Sequence, residues 1–442
     1  MKQSVTAALF VLAVVSATGA GAAEELHTFK RIQLNDQFWS EGATYGDLNN
    51  DGVNDIVSGP WWWEGPAFET RHEYYPATAT FQLKLGPMTA VTVPGFEGRL
   101  GRENKYSNNF FAWVLDFNGD KWNDILIVGF PGTDTSWFEN PKGSGTKHWT
   151  RHKVFDQTDN ESPTFSDLTG DGRPELVCIT KGQYGYATPD WNDPAKPWTF
   201  HPISPNNKYG NFTHGLGVGD VNGDGRSDLL EKNGWWEQPA SLAGDPLWRF
   251  HGQPMGSGGA QMYAYDVNGD GLNDIITSLA AHEFGLAWYE QYRDNGAVRF
   301  REHLIVGKQP ADNPYGVKFS EIHAIALVDM DGDNVKDIVT GKRIWSHGRT
   351  GDPDRNDAAV LYWFELSRTG PTIEFVPHLI DTESGVGTQV VAGDINGDTL
   401  PDIVVGNKAG TFVHLHEKKT VTREEWEKAQ PKRRADSGAA VR

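Results

Sequence analysis

Seven nine-residue stretches carry oxygen-bearing side chains at positions 1, 3, 5 and 9, each followed by an apolar residue. They are Asp47, Asn49, Asp51 and Asp55; Asp116, Asn118, Asp120 and Asp124; Asp167, Thr169, Asp171 and Glu175; and Asp220, Asn222, Asp224 and Asp228. The remaining three are Asp266, Asn268, Asp270 and Asp274; Asp329, Asp331, Asp333 and Asp337; and Asp394, Asn396, Asp398 and Asp402. Such spacing suits Ca2+, which takes six to eight oxygens at about 2.3–2.6 Å. The repetition predicts up to seven structural ions; an ion-free Asn/Asp turn is the alternative. Gly52, Gly172, Gly225 and Gly271 at position 6 permit the sharp turn. Lys121, Asn334 and Thr399 stand there in the other three, and Lys and Thr predict weaker binding in the second and seventh.

A second set of reactive residues keeps a fixed distance from these stretches. Six residues ahead of each leading Asp stand Glu41, Phe110, Glu161, His214, Ala260, His323 and Thr388, with Gln261 and Gln389 one residue later. After the strand that follows each stretch come Lys181, Lys232, His282, Lys342 with Arg343 and His347, and Lys408. These types suit β-elimination on a sugar, which needs a base beside a carbonyl or carboxyl, cations for the enolate and an acid for the leaving oxygen. His214 or His323 is the expected base, and Lys232, Lys342 and Arg343 the enolate or carboxylate partners. Tyr263 or His282 is the expected acid. Glu161, Lys181, Gln261, Trp345, His347, Gln389 and Lys408 would bind substrate, and Trp61, Tyr184, Trp345 and Tyr263 offer flat faces for a sugar. Satisfied structural hydrogen bonds and solvated lysines are the plainer reading. A catalytic metal on His214, His323, His282 and Glu161 is another, although no HExxH motif accompanies it.

The elements that position these groups repeat as well. Each acidic stretch lies between short apolar runs, which reads as a hairpin. A third strand carries aromatic-aromatic-Glu, as in Trp62-Trp63-Glu64 and Trp235-Trp236-Glu237. A fourth carries an aromatic and then a histidine: His152, His201, His251, His303 and His378, with His72 in weaker context. These histidines recur with the fold and read as structural. Four strands in seven units predict an all-β, seven-bladed β-propeller with a calcium-type loop in each blade. The last unit lacks a fourth strand, and 27–32 fits the pattern, so the N-terminal strand is expected to close the ring. Acidic loops then share one face, and the second residue set shares the other.

An apolar stretch from Val5 to Val15 ahead of Ala20-Gly21-Ala22 reads as a signal peptide over 1–22, predicting a secreted or periplasmic protein. The propeller is expected over 23–416 and a short helix with a disordered basic tail over 417–442. Net charge is −19, and 22 of the 59 acids lie in the seven stretches, so the acidity belongs mostly to the loops. This balance argues against nucleic-acid binding. No other stretch predicts a membrane span, and a monomer is expected. The single cysteine, Cys178, excludes an internal disulfide and reads as buried and inert.

Asp-x-Asn-Gly-Asp-Gly-x-x-Asp between β-runs resembles the FG-GAP/VCBS repeats of integrin α-chain propellers and many exported bacterial proteins; Gly215-Leu-Gly-Val-Gly-Asp220 is the nearest echo of the repeat's name. The resemblance implies the propeller and the calcium loops, and no integrin ligand-binding feature transfers. A weaker likeness links Trp137-Phe-Glu-Asn-Pro141 and His214 to the propeller domain of aldos-2-ulose dehydratases, whose cupin domains this chain lacks. It implies a carbon–oxygen lyase. A non-catalytic carbohydrate- or protein-binding (adhesion) module is the competing function. Lectin propellers repeat their sugar pocket, whereas the loops opposite the acidic face differ in every unit, which favours one asymmetric site.

Overall fold

The computed structural model describes residues 23–77, 80–86, 88–94, 106–347, 351–370 and 372–434. The expected signal peptide and the end of the basic tail, 435–442, lie outside them. The protein is an all-β propeller. Among the described residues no helix is long and apolar enough to cross a membrane.

Antiparallel four-strand meanders run from Thr44–Gly46 to Arg71–Glu73, from Phe111–Leu115 to Thr150–Thr158 and from Thr164–Ser166 to Thr199–Pro202. Others run from Leu216–Gly219 to Arg249–Gly252, from Gln261–Tyr265 to Ala297–Val306 and from Ile325–Val328 to Glu374–Asp381. A further sheet contains Val390–Gly393, Asp402–Asn407 and Gly410–Val421, with the N-terminal Glu24–Asn35 on its outer side. That strand pairs antiparallel with Gly410–Val421, from Glu24↔Val421 to Asn35↔Thr411.

The expectation of seven separate blades requires correction. Five sheets are separate and four-stranded, whereas the fourth and fifth meanders form one eight-stranded sheet through parallel pairing of Leu216–Gly219 with Gln261–Tyr265. Glycine explains the merger. A Cβ at Gly217 would lie 1.9 Å from the Met262 carbonyl oxygen, and one at Gly219 would lie 2.7 Å from the Ala264 Cβ. Without side chains there, the two first strands approach to hydrogen-bonding distance. A hairpin of Thr80–Gly86 and Thr89–Pro94 is a further addition that the periodic pattern did not predict.

Most meanders are locked in the same way; in the third, His201 bonds Thr188 at 2.9 Å and Asp245 at 2.6 Å in place of a glutamate. The residue at position 9 of the acidic stretch opens the second strand and is buried, as at Asp124 and Asp228. The Asp124 carboxylate accepts from Phe117 N at 3.0 Å and Asn140 N at 2.8 Å, tying the turn to the third strand. The third-strand aromatic stacks on the fourth-strand histidine, with ring centroids 4.1 Å apart for Trp62–His72 and Trp235–His251. The adjoining glutamate takes the imidazole N–H: Glu64 from His72 at 2.7 Å, Glu237 from His251 at 2.6 Å. Neighbouring units are clipped by amides. Asn140 donates to the Leu48 carbonyl, Gln238 to that of Leu168 and Gln291 to that of Val221, at 2.8, 2.8 and 2.9 Å. Aliphatic and aromatic side chains between adjacent sheets, such as Leu126, Trp137, Leu176 and Trp198, fill the core. After Gly410–Val421, Thr422 caps a helix over Arg423–Ala429 in a capping box with Glu425.

Candidate functional site

The acidic turns are built on backbone N–H groups. Asp220 accepts from Gly223, Asp224 and Gly225, at 2.7, 3.1 and 2.8 Å, and Asp224 accepts from Arg226 at 3.0 Å. Position 6 is left-handed whatever its residue: φ is 86° at Gly52, 72° at Lys121, 68° at Asn334 and 74° at Thr399. Among the described residues, carboxylates close enough to share one ion occur at Asp167, Asp171 and Glu175 and at Asp329, Asp331 and Asp333. Burial raises the position-9 carboxyls, to about 7 at Asp124, Asp228 and Asp337, against the backbone N–H bonds that lower them.

The opposite loops bring a different set together. His214 stands just ahead of Leu216–Gly219 and His323 just ahead of Ile325–Val328, while His282 follows Asp274–Ser278. Their ring centroids are 4.9 Å (His214–His282), 4.7 Å (His282–His323) and 5.6 Å (His214–His323) apart. One nitrogen of each lies within 4.8 Å of the others, a donor set able to hold a divalent transition-metal ion. His347 lies 4.3 Å from the His282 ring and is held by Asp352 at 3.1 Å.

Carboxylates wall this cluster. Glu161 accepts from His214 Nε2 at 3.2 Å. Glu321 Oε2 lies 3.7 Å from His282 Nδ1 and 3.8 Å from His323 Nδ1, and it accepts the Ser346 hydroxyl. Behind Glu161, the buried Arg343 guanidinium lies 3.6 Å away and donates to Glu41 at 2.9 Å; Lys408 is 4.0 Å from the other side of Glu41. Burial alone would raise the Glu161 pKa, but the hydrogen bond from His214 and the charges of His214, Arg343 and His282 pull it down to about 2. Burial, then the Arg343, His282 and His214 charges, push His323 well below its usual value, so it stays neutral. Burial lowers Lys408 to about 8 despite the Glu41 charge. Glu41 Oε1, Glu321 Oε1, His282 Nδ1 and Arg343 Nε and Nη1 are buried and find no hydrogen-bond partner among the described residues. Buried polar atoms are nearly always paired, so these atoms have unused capacity for water or a ligand.

His214, His282, His323, Glu161, Arg343, His347 and Lys408 are thus brought to one place. Other residues expected there are committed elsewhere. Tyr263, expected as an acid, donates its hydroxyl to the Ile325 carbonyl at 2.8 Å, and burial raises its pKa. The Lys342 ammonium bonds Ser320 Oγ at 2.6 Å and the Pro353 carbonyl at 3.2 Å, and Lys232 bonds the Ser257 carbonyl at 3.1 Å. Lys181 is exposed. Gln261 spans from the Thr388 carbonyl (3.1 Å) to Ile325 N (2.9 Å), and Gln389 takes both backbone groups of Ala112. These amides tie inner strands together, because a long side chain at the start of a first strand meets backbone left unpaired by the neighbouring sheet. The Trp345 indole donates to the Arg355 carbonyl, and that guanidinium lies 4.3 Å above its ring. Trp61 is covered by Arg71 at 3.9 Å in an outer groove, and Tyr184 is buried against Tyr209. Sequence reasoning missed Glu321, Ser346 and Asp352. Glu321 had a signal, two residues ahead of His323, whereas Ser346 and Asp352 lie in an aperiodic insertion.

The FG-GAP-like repeat pattern matches residues 116–178 and 167–231, and the FG-GAP repeat pattern matches 386–419. The propeller therefore carries FG-GAP-type repeats over these residues. No curated protein matches the sequence significantly. An Agrocybe aegerita lectin that recognises non-reducing terminal N-acetylglucosamine is structurally similar at 14% identity, over 90% of this chain and 87% of the lectin, with a TM-score of 0.40. The exotype rhamnogalacturonan lyase YesX matches at 13% identity, over 90% and 74% of the two chains, with a TM-score of 0.41. A Bacillus licheniformis rhamnogalacturonan lyase matches at 13% identity over the same shares, with a TM-score of 0.39.

Proposed function

We propose that this chain is an exported propeller of seven structural units, stabilised by calcium in its acidic turns, with one carbohydrate-directed elimination site among the opposite loops. In this reading the eight-stranded sheet is two units fused at their first strands, and the Glu24–Asn35 strand closes the ring. The observation that carries the functional reading is the convergence of His214, His282 and His323 from three units, with one nitrogen of each within 4.8 Å of the others. Three imidazole nitrogens this close are a donor set of the kind that holds a catalytic zinc-type ion. The neutral state of buried His323 fits that use, because only the unprotonated ring can ligate. A divalent ion held there supplies Lewis acidity to a sugar carbonyl or hydroxyl oxygen.

This chain's own groups account for the remaining steps. In this reading Glu321, whose Oε1 finds no hydrogen-bond partner among the described residues, takes the proton beside the sugar carbonyl. His347 is half in solvent and oriented by Asp352, an arrangement suited to carrying a proton to the departing hydroxyl. The first expectation for His214 and His323, action as bases, gives way here to ligation. One observation favours the competing binding module: Arg343, expected as an enolate partner, and Lys408, expected to bind substrate, already face Glu41 and Glu161. The two are separated by incubating metal-loaded protein with keto-sugars and uronate oligomers. Loss of water or chain cleavage, seen by ultraviolet absorbance and mass spectrometry, supports the lyase; tight binding with no product over days supports the module. Ring closure has its own test. Deleting 23–34 should leave insoluble or dimerising protein by exposing Gly410–Val421 as an edge, and a stable, soluble monomer would refute it.

A further inference from the structure

A row of buried charges leads away from the histidine cluster. Lys408 lies 4.0 Å from Glu41, Glu41 2.9 Å from Arg343, Arg343 3.6 Å from Glu161, and Glu161 3.2 Å from His214 Nε2. The first four side chains are 3%, 1%, 1% and 5% exposed, so water does not screen them. Each comes from a different part of the chain: ahead of a first strand for Glu41 and Glu161, after a second strand for Arg343 and Lys408.

We propose that Arg343 is a positioning residue which, by fixing Glu161, sets the tautomer of His214. An ionised carboxylate accepts only, so His214 must present N–H at Nε2, and its lone pair then lies on Nδ1. Burying the Glu161 carboxylate beside the imidazole without the guanidinium behind it would favour protonation or a turned side chain. Arg343 limits that choice because its planar guanidinium donates to Glu41 through one nitrogen while another stands 3.6 Å from Glu161, an arrangement a lysine ammonium does not reproduce in one geometry. The result is an imidazole whose orientation is set before any ligand arrives. This inference rests on the metal-site reading for its consequence but not for its existence, because the tautomer is a property of the ion-free protein.

Both are read on full-length mature protein. Ring nitrogens of 15N-histidine-labelled, metal-free protein report the His214 tautomer by NMR, and calorimetry with Co2+ reports affinity. Wild type should show the proton on Nε2 alone. Glu161→Gln, whose amide can also donate, should give a mixture and weaken Co2+ by about 10–100-fold. Arg343→Met can misfold by stranding two carboxylates, so the paired Arg343→Met/Glu41→Gln variant keeps the test open; it should reproduce both effects, and Arg343→Lys should recover them in part. An unchanged tautomer in Glu161→Gln and in the paired variant overturns the proposal. A wild type that binds no Co2+, with the tautomer shifting as described, sinks the metal reading and leaves the role of Arg343 standing.

Discussion

The two faces of this propeller use the same kinds of residue to opposite ends. On the acidic face, leading carboxylates are occupied by N–H groups of their own turn, as Asp220 is by Gly223, Asp224 and Gly225. The pattern recurs at Asp266 and Asp394. On the opposite face, carboxylates and imidazoles from distant segments are pressed together, and several of their atoms find no hydrogen-bond partner among the described residues. Repetition is not used there: the cluster takes single residues from several units and many from the segment around Ile325–Val328. A group that recurs with the fold therefore builds the fold. One that breaks the repeat at a matching position, as His214 and His323 do where Phe110 and Ala260 are merely packed, is the group to examine for chemistry.

The sharpest way to break this contrast is His282→Ala. It should abolish transition-metal binding and lower turnover by at least about 100-fold with little change in melting temperature, whereas Asp224→Ala on the other face should leave turnover alone. Calorimetry and a product assay on both variants decide; equal losses would erase the distinction. Chelation should act on the acidic face as a whole. A ligand that binds only the folded state at one hundred times its dissociation constant adds about 2.7 kcal/mol per site, so stripping Ca2+ should lower the melting temperature by well over about 10 °C, and added Ca2+ should restore it. A melting curve unmoved by chelator would remove calcium from the structure's support.

Proton linkage gives a smaller signal of known sign. Burial lifts Asp124, Asp228 and Asp337 to about 7, and Asp55, Asp274 and Asp402 to about 6, from 3.8. The folded state then holds protons that the unfolded chain releases. Metal-free protein should therefore gain stability as pH falls from about 7 towards about 4, and Ca2+, by holding these carboxylates ionised, should cancel the gain. Melting temperatures across that range with chelator and with Ca2+ test it. The smallest effect is local. Lys121 and Thr399 have φ of 72° and 74°, so Lys121→Gly and Thr399→Gly should each stabilise by up to about 1 kcal/mol, whereas Gly52→Ala should destabilise. Denaturant midpoints are sufficient to see this.

The architecture was legible because it is written in short range. A turn of Asp, Asn and Gly, a β-branched run, and an aromatic with its glutamate are each complete within about ten residues. The histidines at the fourth strand were recognisable as structural from recurrence alone, and the stacks of His72 on Trp62 and His251 on Trp235 are the reason. The fusion of two sheets was readable in principle at Gly215-Leu-Gly-Val-Gly219, where alternate glycines remove one face of a strand.

What the sequence by itself determined was the repeat, and with it which residues share a face, since the distance of His214, His323, Glu161 and Glu41 from their acidic turns is a matter of counting. It could not decide which of these residues meet. That His282 lies beside His323 while Lys342 turns to Ser320, that Tyr263 spends its hydroxyl on Ile325, and that Arg343 reaches Glu41 across 302 residues depend on how the sheets sit around the axis. Side-chain direction in irregular loops follows from packing against distant segments, and no local period encodes it. The tertiary structure alone decided which of these like-placed residues come together.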